Sequence, residues 1–228
     1  MTTAALVLAA GRGERLGRKE PKAFVGLCGR SLLARSVSAL CAVPEIDWVQ
    51  PVLPPDAGQL PADETAWIHP KLLDPVPGGD ERQDSVRLGL SGLPESVEFV
   101  AVHDAARCLV TPESVSAVVR AAWTGRAALL ASPVSDTIKR VQGRQVIETP
   151  PRSECWAAQT PQVFAVDLLR DALELAWNDV FLGTDDAELV ERMGVPVEVV
   201  LGESDNFKIT HPEDLARAER VLADRGEA

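Results

Sequence analysis

Apolar residues are arranged along this chain in two alternating ways. Short unbroken runs occur at 4–10 ("AALVLAA"), 46–53 ("IDWVQPVL"), 97–104 ("VEFVAVHD") and 127–134 ("AALLASPV"). They lack the in–out alternation of a half-exposed strand and read as strands buried on both faces. Between them the apolar period lengthens to that of helices. Ser31 to Cys41 places Leu32, Leu33, Val37 and Leu40 on one face, with Ser31 at the N-cap. Asp84 to Leu93 reads as a second helix, and Pro112 to Trp123 as a third, with Thr111 as N-cap and proline in the first turn. A short strand, Leu72 to Val76, leads into "PGGDER", and "PPDAGQLPADE" at 54–64 is a proline-rich loop.

Strand–helix alternation with continuous apolar strands predicts an α/β fold: three layers, Rossmann-like, with a mostly parallel sheet covered on both faces. After residue 134 the pattern changes. "DTIKRVQGRQVIET" reads as two short strands around Gln142–Gly143, an exposed β-hairpin arm at about 137–152. "PPRSECWAAQTPQVF" returns to the body. Helices over Ala165–Trp177 and Asp185–Met193, with Thr184 as N-cap, precede a strand at "VPVEVVL". A final helix over Pro212–Leu222 turns Leu215, Ala218 and Leu222 inward. No repeat or linker interrupts the chain, which is read as a single domain over 1–228 with a projecting arm.

Ligands of such sheets lie outside the carboxyl ends of the strands. "LAAGRGERLGRKEPK" (8–22), "PGGDERQDS" and "HDAAR" all fall there. The first stretch is not a dinucleotide fingerprint, because Leu16 stands where the third glycine is needed and that glycine comes at Gly17. It is not a phosphate loop of the Gly-Lys-Ser/Thr kind either. It carries Arg12, Arg15, Arg18, Lys19 and Lys22 against only Glu14 and Glu20. Backbone N–H groups plus several cations suit a triphosphate whose charge grows during reaction. A tight turn with solvated cations accounts for them equally well.

Asp104, at the end of the most apolar strand, suits a divalent metal or the waters around one, with Arg107 in reach of a second phosphate. Equally, Asp104 caps a turn or pairs with Arg107. His103 reads as a packed neighbour rather than a base. Gly78 and Gly79 let bare backbone approach a flat base, with Asp80, Arg82 and Ser85 nearby; a helix N-terminal turn explains the same residues. Lys208, between Phe207 and Ile209, is paired with a carboxylate such as Asp205 or serves a substrate phosphate.

The formal net charge of −11 narrows these readings. It repels nucleic acid and anionic lipid, so an anionic ligand must be held by a local cluster of cations. No apolar run reaches membrane-spanning length, and no secretory h-region is present. Cys28, Cys41, Cys108 and Cys155 are far apart, which fits a reducing cytoplasm rather than zinc or disulfides.

Taken in order, "LAAGRGERLGRKEPKAF", "GGDERQDSV", "HDAAR", "DTIKR", "AAQTPQVF", "TDDA" and "DNFKIT" resemble the successive motifs of the 2-C-methyl-D-erythritol 4-phosphate cytidylyltransferase family, from about Leu6 to Leu222. The resemblance implies attack of the substrate's phosphate on the α-phosphate of CTP, with magnesium or another divalent cation bridging the CTP phosphates. It implies transition-state stabilisation by Arg15 and Lys22. It implies nucleotide contacts from Ala9, Ala10, Gly11, Gly13, Gly78, Gly79, Asp80, Ser85, Asp104 and Ala105. Asp104, Arg107, Thr137, Arg152, Thr184 and Lys208 would form the pocket for the sugar-alcohol phosphate, with Arg152 and Lys208 positioning its phosphate. The arm would cross to a second subunit in a homodimer, so that Thr137 and Arg152 serve the partner's site. Two positions depart from the pattern: Cys108 stands where the family usually has proline, leaving Arg107 held less rigidly, and Ala23 replaces the usual Gln. Three other readings compete: a ribitol 5-phosphate cytidylyltransferase, a nucleotidyltransferase for a hexose phosphate with UTP or GTP, and a nucleotide-binding regulatory module without catalysis.

Overall fold

The computed structural model describes residues 1–11, 21–55 and 68–228. Arg12, Gly13, Glu14, Arg15, Arg18 and Lys19, and most of the proline-rich loop, lie outside the described residues.

The chain opens with β1 (Thr3–Leu8), followed by a two-stranded ribbon, β2 (Gly26–Leu27) and β3 (Arg30–Ser31). Helix α1 (Leu32–Cys41) begins at Ser31, whose hydroxyl accepts from the Ala34 N–H as an N-cap should, and all four residues of the expected apolar face are buried. Then come β4 (Trp48–Leu53), β5 (Val76–Pro77), α2 (Arg82–Gly92), β6 (Phe99–Asp104), α3 (Pro112–Gly125) and β7 (Ala127–Pro133). The strand expected at 72–76 shrinks to β5 plus a single bridge between Val49 and Leu72. Thr111 caps α3 by accepting from Ser114 N–H, with Pro112 in the first turn.

The arm is a hairpin of β8 (Arg140–Gln142) and β9 (Gln145–Glu148), every residue of which is exposed. After it runs β10 (Trp156–Ala165), then α4 (Val166–Asn178), α5 (Asp186–Glu191), β11 (Glu198–Leu201) and α6 (Pro212–Asp224). The helix expected from 185 starts one residue later, and its N-cap is Asp185, not Thr184: the Asp185 carboxylate accepts from Glu188 N–H.

Seven strands form one sheet in the order β11-β7-β10-β6-β1-β4-β5. All neighbours are parallel except β10, which runs antiparallel to both β6 and β7. A long central strand was not legible in "WAAQTPQVF", because a proline inside a strand argues against a central position. The sheet accommodates it with a register shift between Ala158 and Gln162, where the ladder to β7 is interrupted. Helices α1 and α3 touch each other and the sheet, while α2, α4 and α5 form a second touching group, giving the expected layered α/β architecture. The core is the sheet's own Val, Leu and Ala residues plus the inner helix faces. A smaller cluster joins Leu27, Leu32, Cys108 and Ile209 to Ala218 and Leu222 of α6, with Leu215 packed against it. Among the described residues, no helix is long and apolar enough to cross a membrane.

Candidate active site

Strand register brings the sequence motifs together. Leu8 pairs with Asp104 at the ends of β1 and β6, and Ala105 N–H donates to Leu8 C=O. Ala9 N–H donates to Val52 C=O, and Gly78 N–H donates to Leu53 C=O. Three loops that are distant in sequence therefore leave the sheet side by side, at the end where α/β ligands bind. A cleft of about 260 Å³ lies between them. Ala9, Ala10, Gly11 and Lys22 form one wall; Gly79, Asp80, Arg82 and Ser85 form the facing one. Asp104, Ala105 and Lys208 complete it.

Gly78 is glycine for reasons of space. A Cβ there would sit 2.5 Å from Ala10 Cβ and 2.7 Å from Ser85 Oγ, so a side chain would push the two walls apart. Gly79 N–H donates to Ser85 Oγ at 3.1 Å, and that hydroxyl donates to Glu81 C=O at 3.2 Å. Ser85 thus pins the glycine turn to the first turn of α2, where Glu81 and Asp84 form a capping box.

Across the turn runs an alternating row of charges. Lys208 Nζ lies 2.7 Å from Asp104 Oδ2. Asp104 Oδ1 lies 3.4 Å from Arg82 Nε, and Arg82 Nη2 lies 2.7 Å from Asp186 Oδ2. Lys208 therefore does have a carboxylate partner, but it is Asp104 rather than Asp205, and Asp104 pairs with Lys208 and Arg82 rather than with Arg107. Burial alone would push the Asp104 carboxyl up; Arg82 and then Lys208 outweigh it and hold it well below the usual carboxylate range. Burial pushes the Asp186 carboxyl up, and Arg82 draws it back. On balance the carboxyl is raised, and the 2.7 Å contact with an arginine that stays charged opposes that shift.

Arg107 is occupied elsewhere. Its guanidinium donates to Asn206 C=O at 2.8 Å and to Ala158 C=O at 3.1 Å, tying the loop after β6 to β10 and to the segment carrying Lys208. With Cys108 in the place of the usual proline, these tertiary hydrogen bonds hold the Arg107 side chain. His103 is fully buried and does not act as a base: burial lowers it to about 4. Its Nδ1 meets Thr160 Oγ1 at 3.1 Å, and the same oxygen accepts from Asp104 N–H at 3.0 Å.

Five expected residues among those described stand outside this cleft. Gly78, Arg107 and Thr184 do not line it, and neither do Thr137 and Arg152 of the arm, both exposed. Arg152 donates to Ser135 C=O at the root of the hairpin. Sequence reasoning did not connect Arg82 with Asp186, nor Thr160 with Asp104. The only signal was their place inside "GGDERQDSV", "TDDA" and "AAQTPQVF". Among the described residues, no group of three or more His, Cys, Asp or Glu side chains could hold a metal ion. The oxygen donors available in the cleft are Asp104, Asp80 and Glu81.

Comparison with known proteins agrees with this geometry. Residues 3–224 match the family model for 2-C-methyl-D-erythritol 4-phosphate cytidylyltransferase. The chain is 43% identical over 226 residues to the protein of that name from Thermosynechococcus vestitus, covering 97% of this chain and 96% of the relative. It is 40% identical over 229 residues to the one from Halalkalibacterium halodurans, covering 99% of each. The crystal structure of the enzyme from Thermus thermophilus superposes with a TM-score of 0.79 at 36% identity, over 98% of this chain and 100% of that one. That of 4-diphosphocytidyl-2C-methyl-D-erythritol synthase from Anaerococcus prevotii gives 0.86 at 29% identity, over 97% and 96%. With several of its motifs meeting at the carboxyl ends of the strands and residues 3–224 matched, the chain belongs to the 2-C-methyl-D-erythritol 4-phosphate cytidylyltransferase family.

Proposed function

We infer that this chain transfers CMP from CTP to 2-C-methyl-D-erythritol 4-phosphate, releasing pyrophosphate, in isoprenoid precursor synthesis. The observation that carries the reading is the meeting of Lys22, Asp104 and Lys208 with the Gly79–Ser85 turn in one cleft. The attacking phosphate is already a nucleophile, so no general base is required, and His103 is buried away from any such role. Catalysis is then positioning plus charge neutralisation. The bare backbone of Ala9 to Gly11 admits the triphosphate, and Lys22, together with Arg15, meets the charge that grows at the α-phosphate. Gly78 and Gly79, with Asp80, face the cytosine. Lys208 orients the substrate's phosphate.

Magnesium fits the donor set. It binds through one or two carboxylates plus substrate phosphates and keeps waters, which asks for Asp104 rather than an all-protein cage. When bound, it would neutralise charge on the triphosphate. Lys208 meets one oxygen of Asp104 at 2.7 Å and Arg82 reaches the other only at 3.4 Å, so this carboxylate is oriented without both oxygens being tightly held.

The arm supports a homodimer. Val141, Val146 and Ile147 are more than half exposed on a hairpin with no core beneath it. Thr137 and Arg152 stand outside their own chain's cleft, as residues serving a partner's site would. The cysteines are free thiols, in keeping with a reducing cytoplasm that supplies CTP.

A pyrophosphate-release assay tests the activity. CTP with 2-C-methyl-D-erythritol 4-phosphate should turn over. Preference for ribitol 5-phosphate, or for UTP or GTP with a hexose phosphate, would overturn the substrate assignment; CTP binding without turnover on any acceptor would overturn catalysis.

A further inference from the structure

We propose that Asp186 is a positioning residue for this site, acting through Arg82 on Asp104. The inference rests on the reading of Asp104 as the carboxylate that faces the nucleotide and its cation.

Asp186 is 1% exposed and does not line the cleft, so it meets no ligand directly. A carboxylate buried to this degree is costly unless it is paired. Its partner is the guanidinium that also reaches Asp104, and the two contacts are unequal. Arg82 Nη2 is 2.7 Å from Asp186 Oδ2, a close ion contact without hydrogen-bond alignment, whereas Arg82 Nε donates to Asp104 at 3.4 Å, a long hydrogen bond. Asp186 is thus the nearer charge to Arg82. Asp104 is oriented by the cation but not captured by it.

The anchor itself is fastened on two sides. Gln162 of β10 accepts from the N–H groups of Asp186 and Ala187, at 3.1 and 3.0 Å, and donates to Asp185 at 2.7 Å. Gln83, next to Arg82, donates to Phe181 C=O and accepts from Gly183 N–H, both at 3.3 Å. The start of α5 is thereby bound to both β10 and α2, and its carboxylate points at Arg82 from a fixed place. This gives "TDDA" a task that its distance from the cleft conceals: it draws Arg82 toward Asp186 and keeps its bond to Asp104 long, so that this oxygen yields readily to a divalent cation.

Isothermal titration of CTP, with and without magnesium, tests the idea on the full-length protein. In Asp186→Asn the guanidinium loses its anionic anchor and moves onto Asp104. CTP affinity should then fall about tenfold with magnesium present, the scale of losing a partner behind a metal-facing group, and stay unchanged without it. The steady-state KM for CTP should rise in parallel, with kcat within about threefold. Adding Arg82→Gln to Asp186→Asn should restore the magnesium-dependent affinity, because the competing cation is gone. Equal loss with and without magnesium, or a double variant weaker than the single one, would show a structural role and overturn the proposal. If Asp186→Asn fails to fold, Gln83→Ala, which frees the start of α2 from Phe181 and Gly183, should show a smaller loss in the same cation-dependent sense; parent-like binding, or equal loss with and without magnesium, overturns it. Asp104→Asn separates the two readings. If it leaves magnesium-dependent CTP binding intact, the assignment of Asp104 fails. If it abolishes that binding while Asp186→Asn behaves like the parent, only the role of Asp186 fails.

Discussion

The cleft and the arm each contain an arginine facing a carboxylate. In the cleft, Arg82 lies between Asp104 and the fully enclosed Asp186. In the arm, Arg140 meets Glu148 across the hairpin, with both side chains largely in water. The chemistry is the same but the surroundings are not. Water screens the arm pair, and such pairs contribute about 0–1 kcal/mol. Around the cleft pair, hydrogen bonds from Gln162 and Gln83 hold the partners' segments in place, and loss of one partner strands a buried charge. One region is preorganised before any ligand arrives. The other is held by its own ladder and by exposed polar contacts such as Lys139 to Thr149, and it exposes its apolar residues.

Arg82→Ala should show the largest effect in the cleft: a loss of about 3–5 kcal/mol in urea unfolding, because Asp186 is left buried without its cation. A loss below about 1 kcal/mol would place this pair in the same class as that of the arm. Lys22→Ala should lower kcat roughly a hundredfold at saturating CTP and magnesium, with the unfolding midpoint unchanged. A kcat within threefold of the parent would remove Lys22 from transition-state stabilisation. Gly78→Ala should destabilise by about 1–3 kcal/mol and raise the KM for CTP, since its methyl group collides with Ala10 and Ser85.

Deleting 138–149 should leave the unfolding midpoint of the body nearly unchanged, because no arm residue enters the core. Sedimentation of the deleted chain should show a monomer; a stable dimer would refute the arm's role. The smallest effect is chemical. Iodoacetamide should modify Cys155, partly exposed at the root of the arm, well before Cys108 in the smaller apolar cluster, where burial pushes the thiol up to about 12. Equal rates would mean that this cluster opens as readily as the arm.

Much of the body was legible from local signals. Caps at Ser31 and Thr111, and apolar runs such as "VEFVAVHD", are properties of consecutive residues, and the structure shows them as expected. The motifs also pointed to the correct sheet edge. Where local reading failed, a distant partner had intervened. The strand β10, with Pro161 in it, is held in the middle of the sheet by β6 and β7 on either side. Thr184 loses the cap of α5 to Asp185, whose other oxygen is fixed by Gln162, 23 residues away. Sequence proximity offers Arg107 as one partner for Asp104, yet the cations that meet it are Arg82 and Lys208.

By itself the sequence determined the alternation of strands and helices, the exposed hairpin and the set of residue types gathered for an anionic nucleotide. These follow from periodicity, capping and charge, which act over a few positions. The tertiary structure decided which charges touch. Ion pairs depend on ångström distances and on exclusion of water, and strand register sets both: Leu8 against Asp104 brings the loops together, and the seating of α5 on β10 delivers Asp186 to Arg82.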